Sequence, residues 1–247
     1  MTRTFNRYLP LLLLALLWEA ATRSGLAAGL DLPPLSDILV AGFKLFASGE
    51  MVWNGLNSLY RAATGLLLAV VVGSIAGIFM AWSRPVNVLL GPLIEIFYPL
   101  PKSALIPVTA FWLGLGDGSK ILLIFLGCML PVTIGAFNGA RGSEQVLLWS
   151  ARGMGASRLR VLWDVVVPSA LPELLSGIRT ALALSFVLLV TSELISAHKG
   201  LGYMIGILGS GGIYDAMFAT VLTVALLGFI ADRLFLRVMR RALRWQE

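Results

Sequence analysis

The sequence predicts an all-α membrane protein with about six transmembrane helices, and three observations carry that reading. Of 247 residues, 58% are apolar and only 13% are charged, and the mean hydropathy is +0.87. Soluble domains hold roughly 45–50% apolar and about 25% charged residues, so the polar residues here are too few to cover a soluble surface. The apolar residues also fall into six runs. Spans of about 20 residues each would take about half of the chain, leaving loops and short interfacial helices but no separate soluble domain. Finally, Lys and Arg total 19 against 13 Asp and Glu, a net charge of +6. In a soluble protein that excess suggests nucleic acid; between membrane spans it sets orientation, and no nucleic-acid partner is expected. Intrinsic disorder fails on the same composition.

The runs can be placed in order. The first covers residues 8–21 (YLPLLLLALLWEAA) and follows Arg3 and Arg7. That pattern also fits a cleavable signal peptide, but Glu19 and Arg23 follow closely and no small-x-small site ends the run, which favours a retained span. The second run covers 58–82 and the third 86–98, and a proline-broken stretch follows at 99–115. Runs four, five and six cover 121–137, 174–195 and 217–238.

Six spans place both termini on one side. With the termini inside, the inner set is Arg3, Arg7, Arg84, Arg141, Arg152, Arg158, Arg160, Arg179, Arg233, Arg237, Arg240, Arg241 and Arg244. Arg23, Lys44, Arg61, Lys102, Lys120 and Lys199 remain outside. Positive charge gathers on the cytoplasmic side of spans, so both termini are expected there.

Two segments ask for more than a span. The loop at 138–172 is long and basic, yet it spaces Val146, Leu147, Trp149, Met154, Leu159, Leu162, Trp163 and Val166 as amphipathic helices do. Gly153 and Gly155 are positioned to break it into two pieces, and Pro168 and Pro172 mark the return to the membrane. Such a loop is either an interfacial helix without a partner or a docking element for a cytoplasmic protein. The second segment, PLPKSALIPVTAFWLGLGDGSK, carries Pro99, Pro101 and Pro107 in an apolar setting. Irregular backbone at membrane depth is tolerated only where protein or a water-filled cavity satisfies its polar groups. Glu95, Pro101 and Lys102 here, with Glu193 in run five, are therefore candidates for a translocation path. The competing reading is that Lys102 snorkels to the interface and Glu193 pairs locally. Gly73/Gly77 and Gly135/Gly139 stand at the four-residue spacing that lets helices approach closely.

Catalytic groups are lacking. There is no GxxxxGK[ST] phosphate loop, no GxSxG elbow and no HExxH pair. One histidine, His198, and one cysteine, Cys128, make a Cys/His metal site and an intramolecular disulfide equally unexpected. No catalytic, metal or cofactor site is expected in this chain, and transport or scaffolding is left.

The loop reads SARGMGASRLRVLWDVVVPSALPELLSGIRTAL. It resembles the EAA loop of binding-protein-dependent ABC importer permeases, in which Glu-Ala-Ala, three residues, Gly and nine residues precede Ile-x-Leu-Pro. Gly155 and Pro168 keep that spacing, with Val165 and Val167 at the aliphatic positions, whereas the opening triplet is Trp149-Ser150-Ala151 and lacks the glutamate. The remaining stretches are similar to the nitrate/taurine/alkanesulfonate branch of those permeases: Trp18-Glu19, LPPLSDIL (32–39), SLYRAATGLLLA (58–69), PLPKSALIPVTAFWLGLGDGSKI (99–121) and SELISAHKGLGYMI (192–205).

The resemblance implies a type I importer permease with a MetI-like core and a cytoplasmic coupling helix, in a bacterial inner membrane. Its parts would be an amino-terminal helix with its outer segment (1–55), a permease domain (56–240) with the coupling loop at 138–172, and a cytoplasmic tail (241–247). Two copies would form the path for a small anion such as a sulfonate, taurine, nitrate or bicarbonate. Two ABC ATPase subunits would drive it, binding ATP themselves, and a periplasmic or lipid-anchored binding protein would deliver the solute. The ATPase would seat on Ser150, Ala151, Arg152, Gly153, Met154, Gly155, Ala156 and Ser157, with Pro168 closing the element. The alternative is a stand-alone secondary transporter or channel, for which Glu95 and Glu193 are the candidate coupling-ion sites.

Overall fold

The computed structural model describes residues 2–25, 29 and 31–246, and among these no strand occurs. The helices are α1 (Thr2–Arg23), α2 (Leu35–Ala47), α3 (Glu50–Trp82), α4 (Arg84–Phe97), α5 (Ile106–Leu113), α6 (Asp117–Arg141), α7 (Gln145–Gly153), α8 (Arg158–Val161), α9 (Val167–Ser196), α10 (Leu201–Ser210) and α11 (Tyr214–Ala242). A 3-10 turn (Lys102–Leu105) leads into α5, and another (Arg244–Gln246) follows α11.

Four continuous helical segments among the described residues are long and apolar enough to cross a membrane: α3, α6, the run Arg158–Ser196 and α11. The pair α4 and Lys102–Leu113 makes a fifth, bent by 97°. The sixth expected span, α1, does not reach that standard. Its uninterrupted leucine-rich stretch ends at Glu19, and Pro10 interrupts its first half. Leu12, Leu13, Leu14, Leu16 and Leu17 are nevertheless all exposed. A helix apolar on every side is stable only in an apolar surrounding.

At the centre lies α6, packed between α3 and α9. Leu123, Ile124, Cys128 and Val132 of α6 fill the core with Ala62 and Ala69 of α3, Ala181, Leu188 and Leu189 of α9, and Ile106 of α5. Small residues set the spacing. On the α3 side, a Cβ at Gly73 would stand 3.0 Å from the Met129 carbonyl oxygen. On the α9 side, one at Gly135 would stand 2.6 Å from the Glu173 carbonyl oxygen and 3.1 Å from Gly177 Cα. Backbones approach at these points because no side chain separates them.

Run five extends further than its apolar stretch indicates. Pro168 and Pro172 do not end the helix. Pro168 lies in the first turn of α9, directly after a π-helical turn at Leu162–Val166. The wider turn accommodates a ring that removes one donor and crowds the carbonyl four residues back. Arg158–Ser196 is therefore one continuous helical segment of 39 residues, roughly 58 Å at 1.5 Å per residue.

Two short helices, α2 and α10, were outside the expected spans. They build a secondary core with α11 and Trp18 of α1, through Ile38, Ala41, Ala216 and Ala219. Trp18 stacks edge-on to Phe218 at 6.1 Å, and its Nε1–H donates to the Pro33 carbonyl at 3.0 Å. The neighbouring Glu19 carboxylate accepts the Ser36 N–H at 3.1 Å and the Ser36 hydroxyl at 2.9 Å. An acid at the first turn of α2 satisfies donors the helix cannot use itself.

Candidate functional site

The loop between α6 and α9 is a built element. α7 closes in a Schellman motif: the Ala156 N–H donates to the Ala151 carbonyl at 3.0 Å and the Gly155 N–H to the Arg152 carbonyl at 2.9 Å. Gly155 adopts φ +82°, the left-handed conformation this motif needs and that glycine enters without strain. Ser157 then caps α8, its Oγ accepting the Arg160 N–H at 3.3 Å. The inner face of the elbow is seated on the bundle end by Leu148, Leu162, Val166 and Ala170 against Ala140, Ile78 and Trp82. Arg158 also lies over the Trp82 ring at 5.9 Å, a cation–π contact.

The outer face is open to the surroundings among the described residues. Trp149 is 64% exposed and Met154 82%, with Arg152, Arg158 and Arg160 exposed beside them. Of the sequence-expected residues, Ala151 is buried and fixes the elbow, while Ser150, Arg152, Gly153, Met154, Gly155, Ser157 and Pro168 are exposed and Ala156 half-buried. Large apolar groups ringed by guanidinium groups on a rigid turn suit an acidic protein surface with an apolar centre.

The residues suggested for a path do not form one cluster. Lys102 and Pro101 build the bend between α4 and α5. Lys102 Nζ donates to the carbonyls of Phe97, Tyr98 and Leu100 at 2.6, 3.1 and 2.6 Å. It thus neutralises the carbonyl end of α4, where a cation is favoured. Glu95 is exposed on the last turns of α4. Glu193 is fully buried elsewhere, near the carboxy-terminal end of α9.

Around Glu193 lies the feature that sequence reading missed as a unit. Arg61 of α3 is 2% exposed; its Nη1 donates to Glu193 at 2.6 Å and to the Lys199 carbonyl at 2.8 Å. Its Nε and Nη2 donate to Asp117 of α6 at 2.8 and 2.6 Å. Ser58 Oγ donates to Glu193 and accepts the Leu201 N–H at 2.8 Å. The Gly202 N–H donates to Glu193 at 2.9 Å. Lys199 Nζ stands 3.2 Å from Asp117. Lys120, also buried, donates to the Leu115 and Ser196 carbonyls at 2.7 and 2.5 Å.

Gly200 must be glycine here: its φ is +115° and a Cβ would overlap the Glu193 carboxylate. No buried side-chain nitrogen or oxygen among the described residues lacks a partner. The network ties α3, α6, α9 and α10 together at the end of the bundle opposite the loop.

Arg61 and Lys120, counted above among the outer-side charges, are both buried at this end of the bundle. The signal available was their position. SLYRAATGLLLA, GDGSK and SELISAHKGLGYMI each contribute members, so three of the singled-out stretches meet at one place.

A helical unit that carries many large apolar side chains outward on long apolar helices is by that architecture a membrane-embedded protein. Comparison with known proteins makes the class specific. The family described as "Binding-protein-dependent transport system inner membrane component" matches residues 69–244, and the chain belongs to that family.

The taurine transport system permease protein TauC of Escherichia coli (strain K12) is 37% identical over 94% of this chain and 85% of its own length. The putative aliphatic sulfonates transport permease protein SsuC of Bacillus subtilis (strain 168) is 32% identical over 97% and 86%. A chain of the MetNI methionine ABC transporter, solved in inward-facing conformations, superposes with a TM-score of 0.68 at 18% identity, covering 79% of this chain and 97% of that one. The fold is thus the MetI-like permease core, and the chain is a multi-pass inner-membrane permease of an ABC importer.

Proposed function

We propose that two copies of this chain form the translocation path of an ATP-driven importer for sulfonates of the taurine and alkanesulfonate type. The observation that carries the energy-coupling part is the elbow at Gly155, whose outer face presents Trp149, Met154, Arg152, Arg158 and Arg160. Two ABC ATPase subunits seat on the two elbows and bind the ATP; this chain binds no nucleotide. A binding protein delivers the solute at the opposite end. Both termini lie in the cytoplasm, with α1 as the sixth span, in keeping with the arginines that gather at the elbow end. The sulfonate assignment rests on the named relatives.

Mechanically, closure of the ATPases moves the elbow, and the continuous helix from Arg158 to Ser196 transmits that motion to the opposite end, exchanging the inward and outward openings. A gradient-driven transporter would instead need an intramembrane acid able to exchange a coupling ion. Glu193 is committed to Arg61, Ser58 and the Gly202 N–H, which favours the ATP-driven reading.

The test is Gly155→Val in membranes holding the permease, its ATPase and its binding protein. Valine at φ +82° opposes the Schellman closure. ATP-dependent uptake of labelled taurine and co-purification of the ATPase should both fall, on the order of tenfold or more, with membrane insertion unchanged. Undiminished uptake and co-purification would remove the docking role. Uptake by the permease alone on an ion gradient without ATP would favour the stand-alone transporter.

A further inference from the structure

The outward face of α11 changes character along its length. Leu226, Phe229 and Ile230 are exposed on it, as a lipid-facing stripe would be. The same face then continues as Arg233, Arg237, Arg240, Arg241 and Arg244, the last four all exposed. Arg237, Arg240, Arg241 and Arg244 follow the i, i+3, i+4, i+7 rhythm and line one groove of about 300 Å³. Among the described residues none of these four has a carboxylate partner, and Asp232, earlier on the same helix, is held by Arg179 at 2.8 Å. Arg233 instead covers the Phe229 ring at 4.8 Å.

Length fixes the depth of this change. Arg237 follows Tyr214, the first residue of α11, by roughly 34 Å along the axis. A hydrocarbon core is about 30 Å thick, so the arginine face begins where the apolar layer ends. Trp245 is exposed just beyond, its indole N–H donating to the Ala242 carbonyl at 3.1 Å. An aromatic ring beside a basic turn marks the headgroup level.

We propose that Arg237, Arg240, Arg241 and Arg244 form a binding site for the phosphate groups of anionic phospholipids at the carboxy-terminal end of α11. The apolar stripe above holds the acyl chains of the same lipid, and the groove takes its headgroup through charge-assisted contacts from the four cations to the phosphate. The site requires α11 to span the membrane; it does not require the substrate or partners proposed above.

Native mass spectrometry of the purified permease, exposed to equal amounts of phosphatidylglycerol and phosphatidylcholine with matched acyl chains, tests this. The wild-type chain should retain the anionic lipid by on the order of tenfold or more over the neutral one. The R237Q/R240Q/R241Q/R244Q variant should retain both equally, and the corresponding four-lysine variant should keep most of the preference, which guards against loss of folding in the first. Equal retention by wild type, or an unchanged preference in the glutamine variant, would overturn the site.

Millimolar inorganic phosphate distinguishes a free-anion groove from a lipid site. Preference that survives it supports the lipid, and preference abolished by it overturns the lipid assignment. Trp245 also borders a hollow lined by Leu147, Met154 and Pro168, so ATPase co-purification is measured with the same variants. Loss of the ATPase with lipid preference intact would reassign the arginines to protein docking.

Discussion

Arg61 shows how much a single side chain can organise when it is taken out of water. Four of its five N–H donors reach two carboxylates and one carbonyl from three separate parts of the chain. Burial makes the arrangement unforgiving, since removing one partner leaves the other charged and unsolvated. Arg61→Met strips Glu193 of its only cationic partner among the described residues and should cost about 3–5 kcal/mol of stability. Glu193→Gln should cost clearly less. The amide still accepts from Gly202 and Ser58, and Arg61 keeps Asp117. Thermal unfolding in detergent orders the two variants; equal losses, or the reverse order, would contradict a network centred on Arg61.

Helices differ in how openly the sequence announces them. α3, α6, α9 and α11 are legible because lipid demands long apolar runs, and the elbow is legible because glycines at 153 and 155 interrupt an amphipathic pattern. α2 and α10 are not. They are only 13 and 10 residues long, and what holds them is tertiary: the Glu19 carboxylate for α2, the Ser58 and Glu193 acceptors for α10. The network escaped for a related reason. Glu193 and Arg61 stand 132 positions apart, so no local spacing pairs them, and Glu193 read alone looks like a group awaiting a transported ion.

Contact between helices α6 and α9 is equally specific at this scale. Gly135→Val would drive a side chain against the Glu173 carbonyl and Gly177, with an expected loss of roughly 1–3 kcal/mol. Gly153→Ala meets nothing within 4 Å and should leave unfolding unchanged. Chemical denaturation of both in the same detergent checks the contrast.

At the scale of the whole molecule, an exposed apolar and cationic elbow lies at one end and a closed ionic network at the other. Between them run the tightly packed α3, α6 and α9, with α11 alongside. The division suits a subunit that receives force at the first end and must alter an opening near the second. It also explains why charged residues are scarce, at 13% of the chain: apart from the termini and short connections, charge is admitted chiefly where it is paired or where a helix leaves the membrane.

A helix is a protractor as well as a rod. Each residue added to one turns everything beyond it by about 100° and advances it by 1.5 Å. The unbroken path from Arg158 to Ser196 therefore fixes the compass bearing of Glu193 relative to the elbow. One alanine inserted after Ala183 should swing Glu193 away from Arg61 and reduce uptake to background. Four inserted alanines should restore the bearing to within about 40° and recover part of the folded yield. A single alanine placed after Leu243, beyond α11, should change neither. Uptake and monodisperse yield of the three variants would read out whether this permease depends on the count of residues in its longest helix more than on their identity.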